Sequence, residues 1–216
     1  TALQLAKNGF NIIINGSRNL DDCKETKKLV DAEGVSSHIA MGDIGIRETC
    51  LEIVHESVHK YGGIDVLVNN AAIRPTSNFL DMDEKEWDQV LAIGMQAAFW
   101  LTRGCLPGML EQGWGRIVNF AGMNAIHGYN GRAHVSVAKH GVWGLTKALA
   151  KEFGPQGITC NIISPGPIEG VRDTAEESAH LKHMVKNVPV GRSGLPREVA
   201  TVIGMLVGEN GAYVNG

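Results

Sequence analysis

The chain has 216 residues, of which 44% are hydrophobic and 20% charged, and its formal net charge at pH 7 is -3. These values are typical of a globular protein with one sizeable core. The slight acidic excess argues against nucleic acid or an anionic membrane as a partner, and no apolar run approaches the roughly 20 residues needed to cross a bilayer. The four cysteines are scattered without a CxxC pair, which favours reduced core thiols and a cytoplasmic location.

The first part of the sequence alternates helical patterns with short apolar runs. A helix is predicted at residues 2–6, where Asn8-Gly9 ends it. Residues 11–14, 37–41 and 64–68 are apolar runs of the length and composition of buried strands. Polar, helix-patterned stretches separate these runs, and each stretch ends at glycine. Such strand and helix units predict a parallel sheet with helices on its faces.

The second part continues the same pattern. Asp83 is predicted to cap a helix that ends near Pro107-Gly108, and a last amphipathic helix is predicted at residues 197–207. Between them, residues 115–167 predict a strand, a loop, a long helix over residues 133–153, a second strand and a turn at Pro165-Gly166. Two strands joined by a helix of this size form a parallel pair, whose carboxyl ends form one lip of a ligand crevice.

Three motifs follow one another in this framework: Asn69-Asn70-Ala71-Ala72 after a strand, Lys139 within the long helix, and Pro165-Gly166-Pro167 after the next strand. In this order they resemble the NNAG element, the catalytic lysine and the PG turn of the short-chain dehydrogenase/reductase family. The resemblance covers essentially the whole chain and implies a single doubly wound, Rossmann-like domain over residues 1–216. It also implies that the first strand with its TGxxxGxG loop, and the last strand, are absent from the sequence.

The resemblance implies a nicotinamide dinucleotide as cofactor. Arg18 stands in the basic position that NADP-preferring members use, and no acidic residue comes between Asn15 and Asn19. We therefore expect NADP, while NAD stays possible and Arg18 could instead be a solvated loop cation. The expected cofactor contacts are Ser17, Arg18, Asp43, Ile44, Asn69, Ala71, Lys139, Pro165, Gly166 and Ile168.

Three of the four catalytic positions of the family hold other residues in this chain. Gly122 stands at the Ser position, Val135 at the Tyr position and Gly94 at the Asn position, whereas Lys139 is kept. In the family the Tyr gives the proton, the Ser bonds the substrate oxygen, and the Lys binds ribose and lowers the pKa of the Tyr. The loss of one positioned general acid costs about 10²–10⁴ in rate, so we expect an atypical active site.

Two loop residues, His127 and Tyr129, are candidates for the missing acid–base role, because the family places substrate contacts in this loop. His134 neighbours the Tyr position, but it lies about 100° away around the helix and ranks after them. Each of the three residue types is more often an ordinary loop or surface residue than a catalyst.

Three functions follow. The favoured one is an NADP(H)-dependent oxidoreductase that acts on a small carbonyl or alcohol, because the cofactor-side motifs are kept better than the substrate-side residues. The second is a lyase, isomerase or hydrolase that uses His127 and Tyr129 in the same pocket. The third is a catalytically silent member that binds nucleotide or a protein partner.

Two further expectations concern partners and metals. In the family, helices equivalent to residues 133–153 pair between subunits, which implies a homodimer or homotetramer, although a core-facing stripe explains most of this helix. Residues 171–187 correspond to the family's lid over a small-molecule substrate. His180 and His183 are three residues apart with Glu176 and Glu177 nearby, but no third ligand has a suitable spacing. A solvated helix face is favoured over a metal site.

Overall fold

The computed structural model describes residues 1–122, 127–170, 181 and 183–216. Most of the predicted lid, including Glu176, Glu177 and His180, lies outside these residues. The elements in chain order are α1 (Ala2–Lys7), β1 (Ile12–Gly16), α2 (Leu20–Asp31), β2 (Ser37–Met41), α3 (Arg47–Tyr61), β3 (Val66–Asn69), α4 (Glu84–Leu91), a π-helical segment (Ala92–Gln96), α5 (Ala97–Gln112), β4 (Gly115–Phe120), α6 (Ala133–Phe153), β5 (Ile158–Ile163) and α7 (Pro196–Val207).

All strand pairs are parallel, as the repeated strand and helix units predict. One sheet has the order β1-β2, with Ile12 opposite Ser37, and the other has the order β3-β4-β5, with Val66 opposite Arg116 and Gly115 opposite Ile158. Because the pairing is parallel, the carboxyl ends of β3, β4 and β5 lie at the same edge of their sheet.

Helices cover both faces of the central strands. Val118 of β4 packs in a cluster with β1, α1 and α7, whereas its neighbour Ile117 packs in a second cluster with α3, α5 and α6. Consecutive residues of a strand point to opposite faces, so this division places helices on both sides of the sheet. All four cysteines are buried and unpaired, which confirms that they are core residues.

The two sheets are separated by a cavity of about 530 Å³. Residues Ile12–Asn15 of β1 line one side and β3 lines the other, with side chains of α1, α3, α5 and α6 around them. Among the described strands, β1 pairs only with β2, and β3 only with β4. The second edge of each strand therefore faces this cavity.

The sequence misplaced one helix end. The helix predicted to stop near Pro107-Gly108 continues to Gln112, so Pro107 lies inside α5. Pro107 is exposed, and its ring removes only the backbone donor to the carbonyl one turn earlier, at Arg103, which is itself exposed. Water can therefore donate a hydrogen bond to the carbonyl of Arg103. In the described part of the chain, no helix is both long and apolar enough to cross a membrane.

Candidate functional site

Lys139 lies at the carboxyl edge of β4. Its position on α6 turns the side chain toward the sheet, where the ammonium nitrogen donates a hydrogen bond to the carbonyl oxygen of Phe120 at 2.8 Å. The residue is only 5% exposed and contributes to the wall of the 530 Å³ cavity. Lys139 is therefore a buried lysine beside the cavity and not an exposed helix lysine.

The surroundings of Lys139 disfavour its charged form. Burial, and to a smaller extent the positive charge of Arg74, together lower the pKa of Lys139 from its ordinary value of 10.5 to about 8. A lysine with this pKa exchanges its proton near neutral pH, which an ordinary lysine does not.

Asn69, the first residue of the NNAA motif, fixes the edge of β3 against its neighbours. Its amide donates to the side-chain oxygen of Asn119 on β4 at 2.8 Å. The amide of Asn119 in turn donates to Thr146 of α6 at 2.9 Å, and the Thr146 hydroxyl donates to the carbonyl of Val142. Asn119 and Thr146 are completely buried, so this network connects β3, β4 and α6 beneath the motif.

A second cavity, of about 410 Å³, adjoins the first at the carboxyl ends of β1, β2 and β3. Five residues line both cavities, among them Asn70 and Ala71 of the motif. Much of the wall of the second cavity is glycine, alanine and backbone, which lets a ligand approach the main chain closely. Its walls include four expected cofactor contacts: Ser17, Asp43, Ile44 and Ala71.

Other expected cofactor contacts lie elsewhere. Arg18 is exposed beside Ser17 and is not part of the cavity wall. Pro165, Gly166 and Ile168 form the turn after β5, where Ile168 bridges to Gly194, and none of them lines either cavity. Asp43 does not cap α3, because its carboxylate accepts the backbone N–H of Gly45 and the helix begins after Ile46.

The three residues expected at the family's Ser, Tyr and Asn positions differ in how much room surrounds them. Gly122 has φ +115°, and no described atom lies within 4 Å of a Cβ added there. Val135 is buried in an apolar cluster with Val90 and Ala138. A Cβ at Gly94, within the π-helical segment, would lie 3.1 Å from the Cβ of Ala138. Of the three positions, Gly122 is the one with no close contact to the described residues.

The structure does not bring His127 and Tyr129 into these cavities, since neither residue is part of either wall. The Tyr129 ring is covered by the guanidinium of Arg132 at 4.8 Å. The same loop is tied to residues 76–77, because Arg132 bonds Thr76 and the N–H of Ser77 donates to the carbonyl of Gly131.

His134, the lowest-ranked candidate, is not a surface residue. It is completely buried, and its Nε2 lies 3.2 Å from a carboxylate oxygen of Glu86, which also accepts the Ser77 hydroxyl at 2.6 Å. The contact ties α6 to α4. Among the described residues, no group of three or more His, Cys, Asp or Glu side chains is placed to hold a metal ion.

Sequence reasoning missed three residues at this edge: Arg74, Asn119 and Ser164. Arg74 could have been noticed as a cation five residues after Asn69. Asn119 and Ser164 form hydrogen bonds with residues that are distant in the sequence, so no local sequence pattern predicts these contacts.

Comparisons with known proteins show the family. The sequence profile described as "Enoyl-(Acyl carrier protein) reductase" matches residues 1–216. The chain is 35% identical over 212 residues to "Nodulation protein G" of Azospirillum brasilense, covering 98% of this chain and 86% of the relative. It is 34% identical over 216 residues to the 3-oxoacyl-(acyl-carrier-protein) reductase FabG of Aquifex aeolicus, covering 100% of this chain and 87% of the relative.

The fold comparison agrees. The crystal structure of NAD+-bound xylitol dehydrogenase matches with a TM-score of 0.90 at 27% identity, covering 100% of this chain and 89% of that chain. The chain belongs to the short-chain dehydrogenase/reductase family, a family of nicotinamide-dependent oxidoreductases. The family and the Rossmann-like fold class predicted from the sequence are thereby confirmed.

Proposed function

We propose that the protein is an NADP(H)-dependent oxidoreductase that interconverts a small carbonyl compound and its alcohol at an atypical active site. The observation that carries the proposal is Lys139, a buried cation hydrogen-bonded at the carboxyl edge of β4 and open to the cavity. A 3-oxoacyl thioester is the substrate class that the FabG relative's name suggests. We also propose a cytoplasmic location and a single domain over residues 1–216.

The second cavity fits one end of a dinucleotide. Its small residues leave room for close backbone approach, and one carboxylate oxygen of Asp43 remains for a donor after the bond to Gly45. Ser17, Asp43, Ile44 and Ala71 would hold the adenosine end, while Lys139 would contact a ribose hydroxyl. When bound, the nicotinamide supplies or accepts the hydride.

The protein's own residues must then hold and move a proton. Reduction of a ketone leaves negative charge on the carbonyl oxygen, and a group near pKa 8 can neutralise it at neutral pH. We assign this proton to the ammonium of Lys139, because Val135 and Gly122 carry no acid and the described structure places His127 and Tyr129 outside both cavity walls. The non-redox alternative depends on those two residues and gains no support from this geometry.

The choice of NADP over NAD rests on Arg18. An exposed guanidinium beside Ser17 can pair with a 2′-phosphate, and such a charge-assisted bond contributes about 1.5–3 kcal/mol. The xylitol dehydrogenase neighbour is described with NAD+, so the two cofactors must be compared directly.

Titration of the intrinsic fluorescence of the four tryptophans compares NADPH and NADH. We expect tighter binding of NADPH, and we expect Arg18→Ala to weaken NADPH about tenfold or more while NADH changes little. Arg197→Ala, which removes an exposed arginine of α7, is the matched control and should change neither affinity. Equal affinities in the unmodified protein would overturn the cofactor assignment.

A further inference from the structure

The ladder between β4 and β5 ends with an unusual contact. The N–H of Ala121 donates to the carbonyl of Ile163 at 2.9 Å, as a parallel ladder requires. One residue further along, the N–H of Gly122 donates to the side-chain oxygen of Ser164 at 3.2 Å. The Ser164 hydroxyl thus lies against the backbone of Gly122, a residue that has no side chain of its own.

This contact uses only part of the bonding capacity of Ser164. A serine hydroxyl has one proton to donate and two lone pairs, and Gly122 occupies one lone pair. In the described part of the chain, the hydroxyl proton of Ser164 has no acceptor. Ser164 lines neither cavity but is exposed, so a ligand that extends beyond the first cavity can reach it. Its backbone is held between the buried strand β5 and the restricted φ of Pro165.

Lys139 reaches the same edge from the other side. Its ammonium contacts the carbonyl of Phe120, two residues before Gly122, which corresponds to about 7 Å along a strand. A hydroxyl donor just after β5 and an ammonium on α6 therefore both contact the backbone at the carboxyl end of β4.

We propose that Ser164 donates a hydrogen bond to the carbonyl oxygen of the substrate, and so supplies from β5 the contact that Gly122 cannot. This inference rests on the proposed function. In the reduction, the hydride brings two electrons to the carbonyl carbon, the π pair moves to the oxygen, and that oxygen takes the proton of Lys139. The bond from Ser164 strengthens as negative charge grows on the oxygen, so it lowers the barrier to the reaction.

The test compares Ser164→Ala with Ser164→Thr and with Ser36→Ala, a control at an exposed serine just before β2 in the other sheet. The rate probe is S-acetoacetyl-N-acetylcysteamine with NADPH. We expect Ser164→Ala to lower kcat/KM about 10²-fold, as the loss of one such donor does, with unchanged NADPH affinity. Ser164→Thr keeps the hydroxyl and should stay within about tenfold of the unmodified protein, and Ser36→Ala should match it.

A second readout needs no turnover and no cofactor. The probe is labelled with ¹³C at its ketone, and a hydrogen bond to the oxygen moves this resonance downfield. We expect the shift with the unmodified protein and its loss in Ser164→Ala. If the unmodified protein fails to reduce the probe but shows the Ser164-dependent shift, the proposed function fails and the contact stands. If the ketone never shifts, if Ser164→Ala keeps its rate, or if it loses NADPH affinity along with rate, the assignment of Ser164 is overturned.

Discussion

Burial of the charged Lys139 side chain destabilises the folded protein, and this loss of free energy of unfolding should be measurable. The pKa of Lys139 is lowered to about 8 from 10.5 by burial, with a smaller effect of the charge on Arg74. A folded-state pKa below the unfolded value means that the folded protein binds fewer protons, so this group adds stability as pH rises from about 8 to 10.5. Below pH 8 the buried charge reduces the free energy of unfolding by about 3 kcal/mol.

Lys139→Met removes this cost. We expect the free energy of unfolding at pH 7 to rise by about 1–3 kcal/mol, since the lost bond to Phe120 offsets part of the gain. The difference from the unmodified protein should shrink as pH rises through 8–10.5, and nucleotide affinity should fall. Urea titrations across this range give the first quantity and fluorescence titration the second. Lys151→Met, an exposed site on α6, is the control, and a difference independent of pH for Lys139→Met would contradict the account.

At the level of single residues, sequence reasoning located Lys139 but not its neighbours. The four-residue relation of Lys139 to Val135 and the order of motifs are local features that the printed sequence shows directly. The bond between Gly122 and Ser164 joins residues 42 apart, and it depends on the register of β4 with β5. No pattern in the sequence fixes a side-chain contact of that range.

At the level of elements, strong periodicity was the best guide. The helix predicted at residues 133–153 is observed as Ala133–Phe153, because one apolar stripe runs its whole length and Gly154 follows it. The strand predicted at residues 37–41 is observed as Ser37–Met41. The helix end at Pro107 was wrong because the sequence does not show that the affected turn faces solvent. The π-helical segment at Ala92–Gln96 also has no sequence signal of its own, although such segments occur often at functional sites.

The exposed faces of α5 and α6 are the surfaces at which we expect subunits of a homodimer or homotetramer to pack. Phe99 of α5 and Val137 of α6 are each 45% exposed, which leaves apolar surface on both helices. We expect light scattering to give the mass of a homodimer or homotetramer of the 23.2 kDa chain. Val137→Glu should reduce that mass, whereas Leu29→Glu on α2, a site of similar exposure at 51%, should not. A monomeric unmodified protein would contradict this prediction.

At the level of the whole molecule, the parallel α/β architecture followed from the alternation of strands and helices. The separation into two sheets did not follow from it, because the sequence does not show which strands pair with each other. In the described structure, β1 and β3 are not paired. A cavity lies between the edges of β1 and β3 that face each other.

The most direct test of the account is reduction of S-acetoacetyl-N-acetylcysteamine by the purified protein with NADPH, followed by the loss of NADPH absorbance and by detection of the alcohol. We predict that one molecule of alcohol forms for each NADPH consumed. We also predict that the rate falls as pH rises above about 8, where Lys139 loses its proton. If the protein binds NADPH but forms no alcohol with NADPH or NADH at any pH from 6 to 9, a range chosen to bracket this pKa, hydride transfer is contradicted.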